Sequence, residues 1–238
     1  MNGIDISEHN GIVDFNAIKA AGMDFVILRA GYGKYITQRD KRFEMNYTAA
    51  KAAGLKVGAY WYSYAATPQE AAEEAATCCK VIQGKQFEFP IYFDIEEAKS
   101  MSQATANCVA FCDYLEKHGY FAGVYANAST FNNCIDYKIR SKYTTWLAHW
   151  APSPSFVAPL WQYSATGRVN GCSGDVDKDK ANCDLEKIVK GTGLNGWGKP
   201  AANTATTPAA KDETTGVATT GNTLKIVING ETVYERSF

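Results

Sequence analysis

The sequence predicts an α/β protein: an irregular TIM-like (β/α) barrel with eight strands and about five helices, followed by a linker and a short β-hairpin. Strand-like apolar runs alternate with amphipathic stretches whose ends are legible. In the middle of the chain the strand starts lie about thirty residues apart, room for the dozen or more residues of a helical crossover between parallel strands. At 238 residues, 46% hydrophobic and 13% aromatic, the chain can bury one large core and still carry a tail.

Strand character is read at Gly3 to Ser7, Phe25 to Ala30, Val57 to Tyr64, Phe89 to Glu96, Ala122 to Ala126, Thr144 to His149, Leu160 to Tyr163 and briefly near Val176. Asp14 can cap a helix over Phe15 to Ala21 that stops at Gly22, and a second helix through Tyr47 to Ala53 stops at Gly54. Thr67-Pro68-Gln69-Glu70 reads as a capping box with proline in the first turn, opening a helix toward Val81. A fourth helix, Ala104 to His118, ends at Gly119. After His149 the spacing collapses into turn material, Pro152 to Ser155 and Ser164 to Gly167, so the last three units are expected to be irregular. Residues 1–199 are assigned to the barrel and the Ala/Thr-rich run 200–222 to a linker. Residues 223–238 form a hairpin around Asn229-Gly230. A lone hairpin is marginal in water, so this one is expected to start a wall-binding module or to serve self-association.

Bulk properties exclude several classes. A formal charge of −1 without a Lys/Arg run speaks against nucleic acid as a partner. No apolar stretch approaches the roughly 20 residues of a membrane span. The N-terminus enters a strand directly, without the basic and apolar regions of an export signal, so release through holin-type lysis or another route is expected unless a signal was removed. The seven cysteines lack metal-ligand or disulfide spacing and the three histidines are scattered, so reduced cysteines are expected, with no metal and no cofactor.

The chemistry is read from Phe89-Pro90-Ile91-Tyr92-Phe93-Asp94-Ile95-Glu96, an apolar strand that turns acidic at its end. A single acid there is ordinary capping of a strand end, but two acids two residues apart share a face and point into one space. Paired carboxylates whose pKa values are driven apart supply a general acid and an ionised partner. Because barrel chemistry collects at the C-terminal ends of the strands, the same mouth should hold Asp5, Arg29, Tyr60, Tyr62, Tyr64, Tyr125, Asn127, Trp150, Trp161, Gln162, Tyr163 and the acids Asp175 to Asp179 following strand 8. Aromatic faces around an acidic centre suit a carbohydrate. Arg29 is read first as a counter-ion for barrel carboxylates and second as a ligand contact.

Six motifs in order, Gly3-Ile4-Asp5-Ile6-Ser7-Glu8-His9-Asn10-Gly11, Gly58-Ala59-Tyr60-Trp61-Tyr62, Tyr92-Phe93-Asp94-Ile95-Glu96, Trp146-Leu147-Ala148-His149-Trp150, Trp161-Gln162-Tyr163-Ser164 and Gly174-Asp175-Val176-Asp177, resemble glycoside hydrolase family 25 lysozymes. These are barrel-type N-acetylmuramidases, many of them phage endolysins. The resemblance implies cleavage of the β-1,4 bond between N-acetylmuramic acid and N-acetylglucosamine in bacterial peptidoglycan, at the cell wall. It implies Glu96 as general acid, Asp94 as its partner, Asp5 and Asp177 as supporting carboxylates, and Tyr62 hydrogen-bonding near the reacting centre, with Asp175 competing for the position given to Asp177. The remaining groove residues would bind substrate.

Three routes remain open on chemical grounds: a covalent retaining route, an inverting one, and a retaining route in which the substrate's 2-acetamido carbonyl attacks the anomeric carbon. The third is favoured, with Asp94 steadying the developing oxazolinium charge. Two other classes compete, a chitinase-like hydrolase and a non-catalytic sugar-binding barrel. The first would carry further acids upstream of Asp94, where residues 90–93 have none, and the second would lack the acids that Asp5, Asp94 and Glu96 supply.

Overall fold

Eight strands close into one barrel in chain order: β1 (Asn2–Ile6), β2 (Phe25–Tyr32), β3 (Lys56–Tyr62), β4 (Ile91–Asp94), β5 (Ala122–Asn127), β6 (Thr144–Ala148), β7 (Leu160–Gly167) and β8 (Val176–Ala181). This computed structural model describes residues 1–198, 215–220, 223–228 and 230–237. Among them are seven α-helices, more than the five expected: α1 (Phe15–Ala20), α2 (Phe43–Ala52), α3 (Pro68–Ile82), α4 (Ala104–Lys117), α5 (Ala128–Asn133), α6 (Lys138–Lys142) and α7 (Leu185–Thr192). The additional ones are short or follow the last barrel strand, where periodicity carries little signal.

The helix ends follow local chemistry. Asp14 caps α1 by accepting from the amides of Asn16 and Ala17. Thr67 accepts from the Glu70 amide to start α3, although the Glu70 side chain reaches back to Ala66 rather than to Thr67 itself. Gly54 and Gly119, just past α2 and α4, take φ of +73° and +88°, a conformation that costs glycine nothing.

Strands β1 to β7 pair in parallel, and β8 runs antiparallel to both β7 and β1. Only residues 168–175 join β7 to β8, too few for the crossover that a parallel partner needs. The consequence corrects the expected placement of the last acids: Asp177 and Asp179 lie within β8, with Asp175 just before it. Because the strand is inverted, its beginning faces the mouth where the others end. Strand β4 also stops at Asp94, two residues earlier than expected, so Glu96 lies beyond it.

Period-two alternation divides the barrel's apolar residues into two bodies. Ile4, Val26, Leu28, Val57, Ala59, Phe93, Val124 and Leu147 face outward and pack beneath the helices. Phe25, Ile27, Tyr92, Tyr125, Trp146 and Leu160 fill the inside. Ring stacking of Phe25 on Phe89 (4.5 Å) and the tilted contact of Tyr125 with Trp146 (4.4 Å) close the interior below the mouth.

The tail forms a sheet of three strands, with β9 (Thr215–Thr220), β10 (Thr223–Ile228) and β11 (Glu231–Ser237) in the order β11-β10-β9. The hairpin expected around Gly230 is present. The run expected to be linker contributes β9, while residues 199–214 and 221–222 lie outside the described residues. The sheet lies against the barrel. Tyr234 and Ile226 are fully buried, and the Tyr234 ring meets Phe121, just before β5, edge-on at 5.7 Å.

Candidate active site

At the mouth of the barrel a groove of about 350 Å³ is floored by interior-facing residues of the strand ends. Asp5 comes from β1, Tyr60 and Tyr62 from β3, Asp94 from β4, Tyr125 from β5 and Gln162 from β7, with Asp177 from the start of β8. Glu96 and Trp150 stand at its rim, both exposed. Past β4 the backbone stays pinned to its neighbours: the Ser63 amide donates to Asp94 O at 2.9 Å and the Ile95 amide to Tyr125 O at 3.1 Å. Those bonds bring Glu96 over the same groove as Asp94. A larger surface depression of about 680 Å³, lined by residues such as Arg39, Glu44, Lys80 and Lys85, lies elsewhere. Glu44 there is paired with Arg39 and Lys85, so it offers no facing carboxylates for acid–base work.

Burial dominates the electrostatics. Asp94 is 4% exposed, and loss of water drives its carboxyl well above the usual range. The charge of Glu96 pushes the same way, and Arg29 partly offsets both. Glu96 is also raised, first by partial desolvation at the rim and then by the charges of Asp177 and Glu97. Asp94 and Glu96 therefore titrate as an interacting pair, able to hold one proton where isolated carboxyls would have lost it. One oxygen of Asp94, Oδ1, is buried without a hydrogen-bond partner among the described residues. Asp177 is raised to about 6 by burial.

Arg29 forms ion pairs with Asp40 at 2.8 Å and Glu8 at 3.1 Å. It lines the groove while spending its charge on structure. The Tyr62 hydroxyl donates to Glu97 Oε1 at 2.8 Å. Gln162 joins three site residues: Nε2 donates to Asp5 Oδ2 at 2.8 Å, and Oε1 accepts from Tyr125 at 3.1 Å and from Trp150 at 3.2 Å. Tyr64 lies in an adjoining depression of about 430 Å³ that shares His9, Arg29 and Tyr62 with the groove.

Besides Tyr64, five expected residues are not gathered into the groove: Asn127, Trp161, Tyr163, Asp179 and Asp175, which pairs with Arg168 at 3.0 Å. Asn127 caps α5, accepting from the Thr130 amide. Trp161 and Tyr163 occupy the odd positions around Gln162 and so face away from the interior; the Trp161 indole donates to His149 O at 2.8 Å. Trp146 comes in, which sequence reasoning gave no role in the site. Trp146 lines the floor and donates to Asp179 Oδ1 at 2.8 Å, and Asp179 is fully buried. Trp146 stands on the inward face of β6 by strand alternation, the signal that could have found it, and Asp179 shares a face with the expected Asp177. Glu97, the partner of Tyr62, had no such signal.

Residues 4–172 match the family model described as Glycosyl hydrolases family 25. The chain belongs to this family. The autolytic lysozyme of Clostridium acetobutylicum is 34% identical over 185 residues, covering 76% of this chain and 55% of the relative, so the chain spans little more than half of that protein. Lysozyme M1 of Streptomyces globisporus is 31% identical over 79% of this chain and 70% of its own. The crystal structure of the bacterial lysozyme from Streptomyces coelicolor superposes with a TM-score of 0.71 at 28% identity, over 81% of this chain and 98% of that one. The family 25 match stops at residue 172, before Asp177, which this chain's own geometry brings to the groove. Among the described residues no helix is long and apolar enough to cross a membrane.

Proposed function

We propose that this family 25 glycoside hydrolase cleaves bacterial peptidoglycan at the β-1,4 bond between N-acetylmuramic acid and N-acetylglucosamine, with the cell wall as its place of action. The observation that carries the reading is the pairing of Glu96 at the open rim with buried Asp94 below it in one groove, both held above the ordinary carboxylate range. A general acid works best when its pKa approaches the working pH. Glu96, raised and accessible, fits protonation of the leaving sugar oxygen.

Asp94 then serves as the partner beneath it, ionised in the reacting complex against the burial and the Glu96 charge that raise it, with Arg29 offsetting these in part. Its carboxylate on the groove floor can accept the N–H of a substrate 2-acetamido group whose carbonyl attacks the anomeric carbon, which gives a substrate-assisted retaining reaction. As that N–H becomes more positive in the cyclised intermediate, the hydrogen bond strengthens, so the interaction favours the transition state over the bound substrate. Asp5 and Asp177 support the charge pattern of the groove, and Tyr62, Tyr125, Trp150 and Gln162 shape the sugar site.

The test is Glu96→Gln, which preserves size and hydrogen bonding but cannot protonate a leaving group. Wall-clearing activity should fall about 10² to 10⁴-fold with the fold intact by circular dichroism. A variant within a few-fold of the parent would remove Glu96 from the mechanism.

A further inference from the structure

One buried acid of the barrel interior has no part in the groove chemistry. Asp179 on β8 is fully buried. In the antiparallel β1–β8 pairing Asp5 stands opposite Asp177, and Gly3 stands opposite Asp179. Opposed residues and those two apart share a face, so all three carboxyls point into the barrel, with Asp5 and Asp179 as diagonal neighbours. The fourth position on that face carries no side chain: a Cβ at Gly3 would lie 2.4 Å from the Phe25 ring.

Donor-only groups fix the direction of every hydrogen bond around this pair. An indole N–H can donate but never accept. Trp150 therefore obliges Gln162 to turn its carbonyl oxygen outward, and the amide nitrogen faces inward to donate to Asp5 Oδ2. At the other end Trp146 donates to Asp179 Oδ1. Asp179 Oδ2 is left buried with no donor group among the described residues in bonding geometry. The neighbour placed to supply a hydrogen is Asp5, and a carboxyl can donate only while it carries a proton.

We infer that Asp5 and Asp179 share a single proton, and that Asp179 is thereby a positioning residue, holding Asp5 and through Gln162 the Tyr125 and Trp150 walls of the groove.

The surroundings support this. The groups facing the pair are Arg29 from β2, Tyr60 from β3, Tyr92 and Asp94 from β4, Tyr125 from β5, Asp177 from β8 and Glu96 beyond β4. Arg29, the cation among them, is already committed to Glu8 and Asp40. Two carboxylates side by side without a free counter-charge cannot both ionise cheaply in a dry interior. Accordingly, burial and then the charges of Asp179 and Asp177 raise Asp5 well above the ordinary range. Burial raises Asp179 to about 8, against the hydrogen bonds from Trp146 and Asp5.

The shared proton stands apart from the muramidase reading; only its bearing on turnover rests on that reading. The test is carbon-13 NMR of the aspartate carboxyls in the full chain without substrate, comparing the parent with Asp179→Asn, and with Asp5→Asn to assign the Asp5 signal. Asparagine can still accept from Trp146 and can donate to Asp5 without a proton. In the parent the Asp5 signal should remain that of a protonated or proton-sharing carboxyl well above the range near pH 4 in which ordinary aspartates ionise. In Asp179→Asn it should ionise at least tenfold more readily, a midpoint one pH unit lower or more. An unchanged midpoint overturns the inference.

Turnover supplies a second reading. With Asp179→Leu, kcat should fall at least tenfold with KM within threefold, while Asp179→Asn should stay within threefold of the parent. Equal kcat in the two variants contradicts the positioning role. If Asp179→Leu does not fold, the NMR comparison decides alone.

Discussion

Glu74 on α3 is 2% exposed, and its Oε1 accepts the Tyr64 amide at 2.9 Å, anchoring the chain just after the strand that carries Tyr60 and Tyr62. Burial raises its carboxyl from 4.5 to about 7, against hydrogen bonds from Ser63 and Tyr64 that favour the charged form. Holding this charge in the folded protein therefore costs up to about 3 kcal/mol once pH exceeds the folded value. Below pH 4.5 both folded and unfolded chains are protonated there and no cost arises. Between 4.5 and about 7 the folded chain binds more protons, so stability falls as pH rises, and above 7 the loss is complete. Glu74→Gln keeps the acceptor for Tyr64 and removes the titration. Urea unfolding followed by tryptophan fluorescence at pH 4.5 and pH 8 should show the variant near the parent at the lower pH. At the higher pH it should be more stable, by up to about 3 kcal/mol. A difference between the two proteins that does not change with pH would refute the reasoning.

The docked tail gives a second expectation. Tyr234→Ala removes a fully buried ring from its contact with Phe121 and should destabilise the full chain by about 3 to 5 kcal/mol in urea unfolding; a cost below 1 kcal/mol would mean that the sheet is not part of the barrel's cooperative unit. The substrate-assisted route gives a third. Proton NMR of the first product anomer should show retention, a glycan lacking the N-acetyl group on the sugar that bears the cleaved anomeric carbon should be inert, and a thiazoline mimic of the cyclised intermediate should inhibit. Inversion excludes both retaining routes, and a glycosyl ester trapped on Asp94 makes the protein the nucleophile.

Most of the barrel was legible because its first seven strands announce themselves locally, with apolar alternation bounded by caps at Asp14 and Thr67 and by stops at Gly54 and Gly119. What escaped was non-local. The direction of β8 depends on how few residues separate it from β7, and its own Val-Asp-Lys-Asp-Lys pattern looks the same in either direction. Asp94 and Glu96 were legible from their spacing, although Glu96 reaches the groove through backbone bonds past the strand end rather than through strand alternation. Trp161 and Tyr163 looked like site aromatics because composition marks aromatics without saying which face they take; Gln162 between them takes the inward one. Asp179 was readable as an acid on a strand. Its burial beside Asp5 follows only once β8 is known to be antiparallel to β1.

The most direct test of the central claim is mass analysis of the fragments released from purified bacterial walls, with the products reduced to mark their new ends. Cleavage at the proposed bond predicts muropeptides ending in reducible N-acetylmuramic acid, absent when Glu96→Gln is used instead. New ends on N-acetylglucosamine, new peptide amines without glycan cleavage, or no release at all would contradict it.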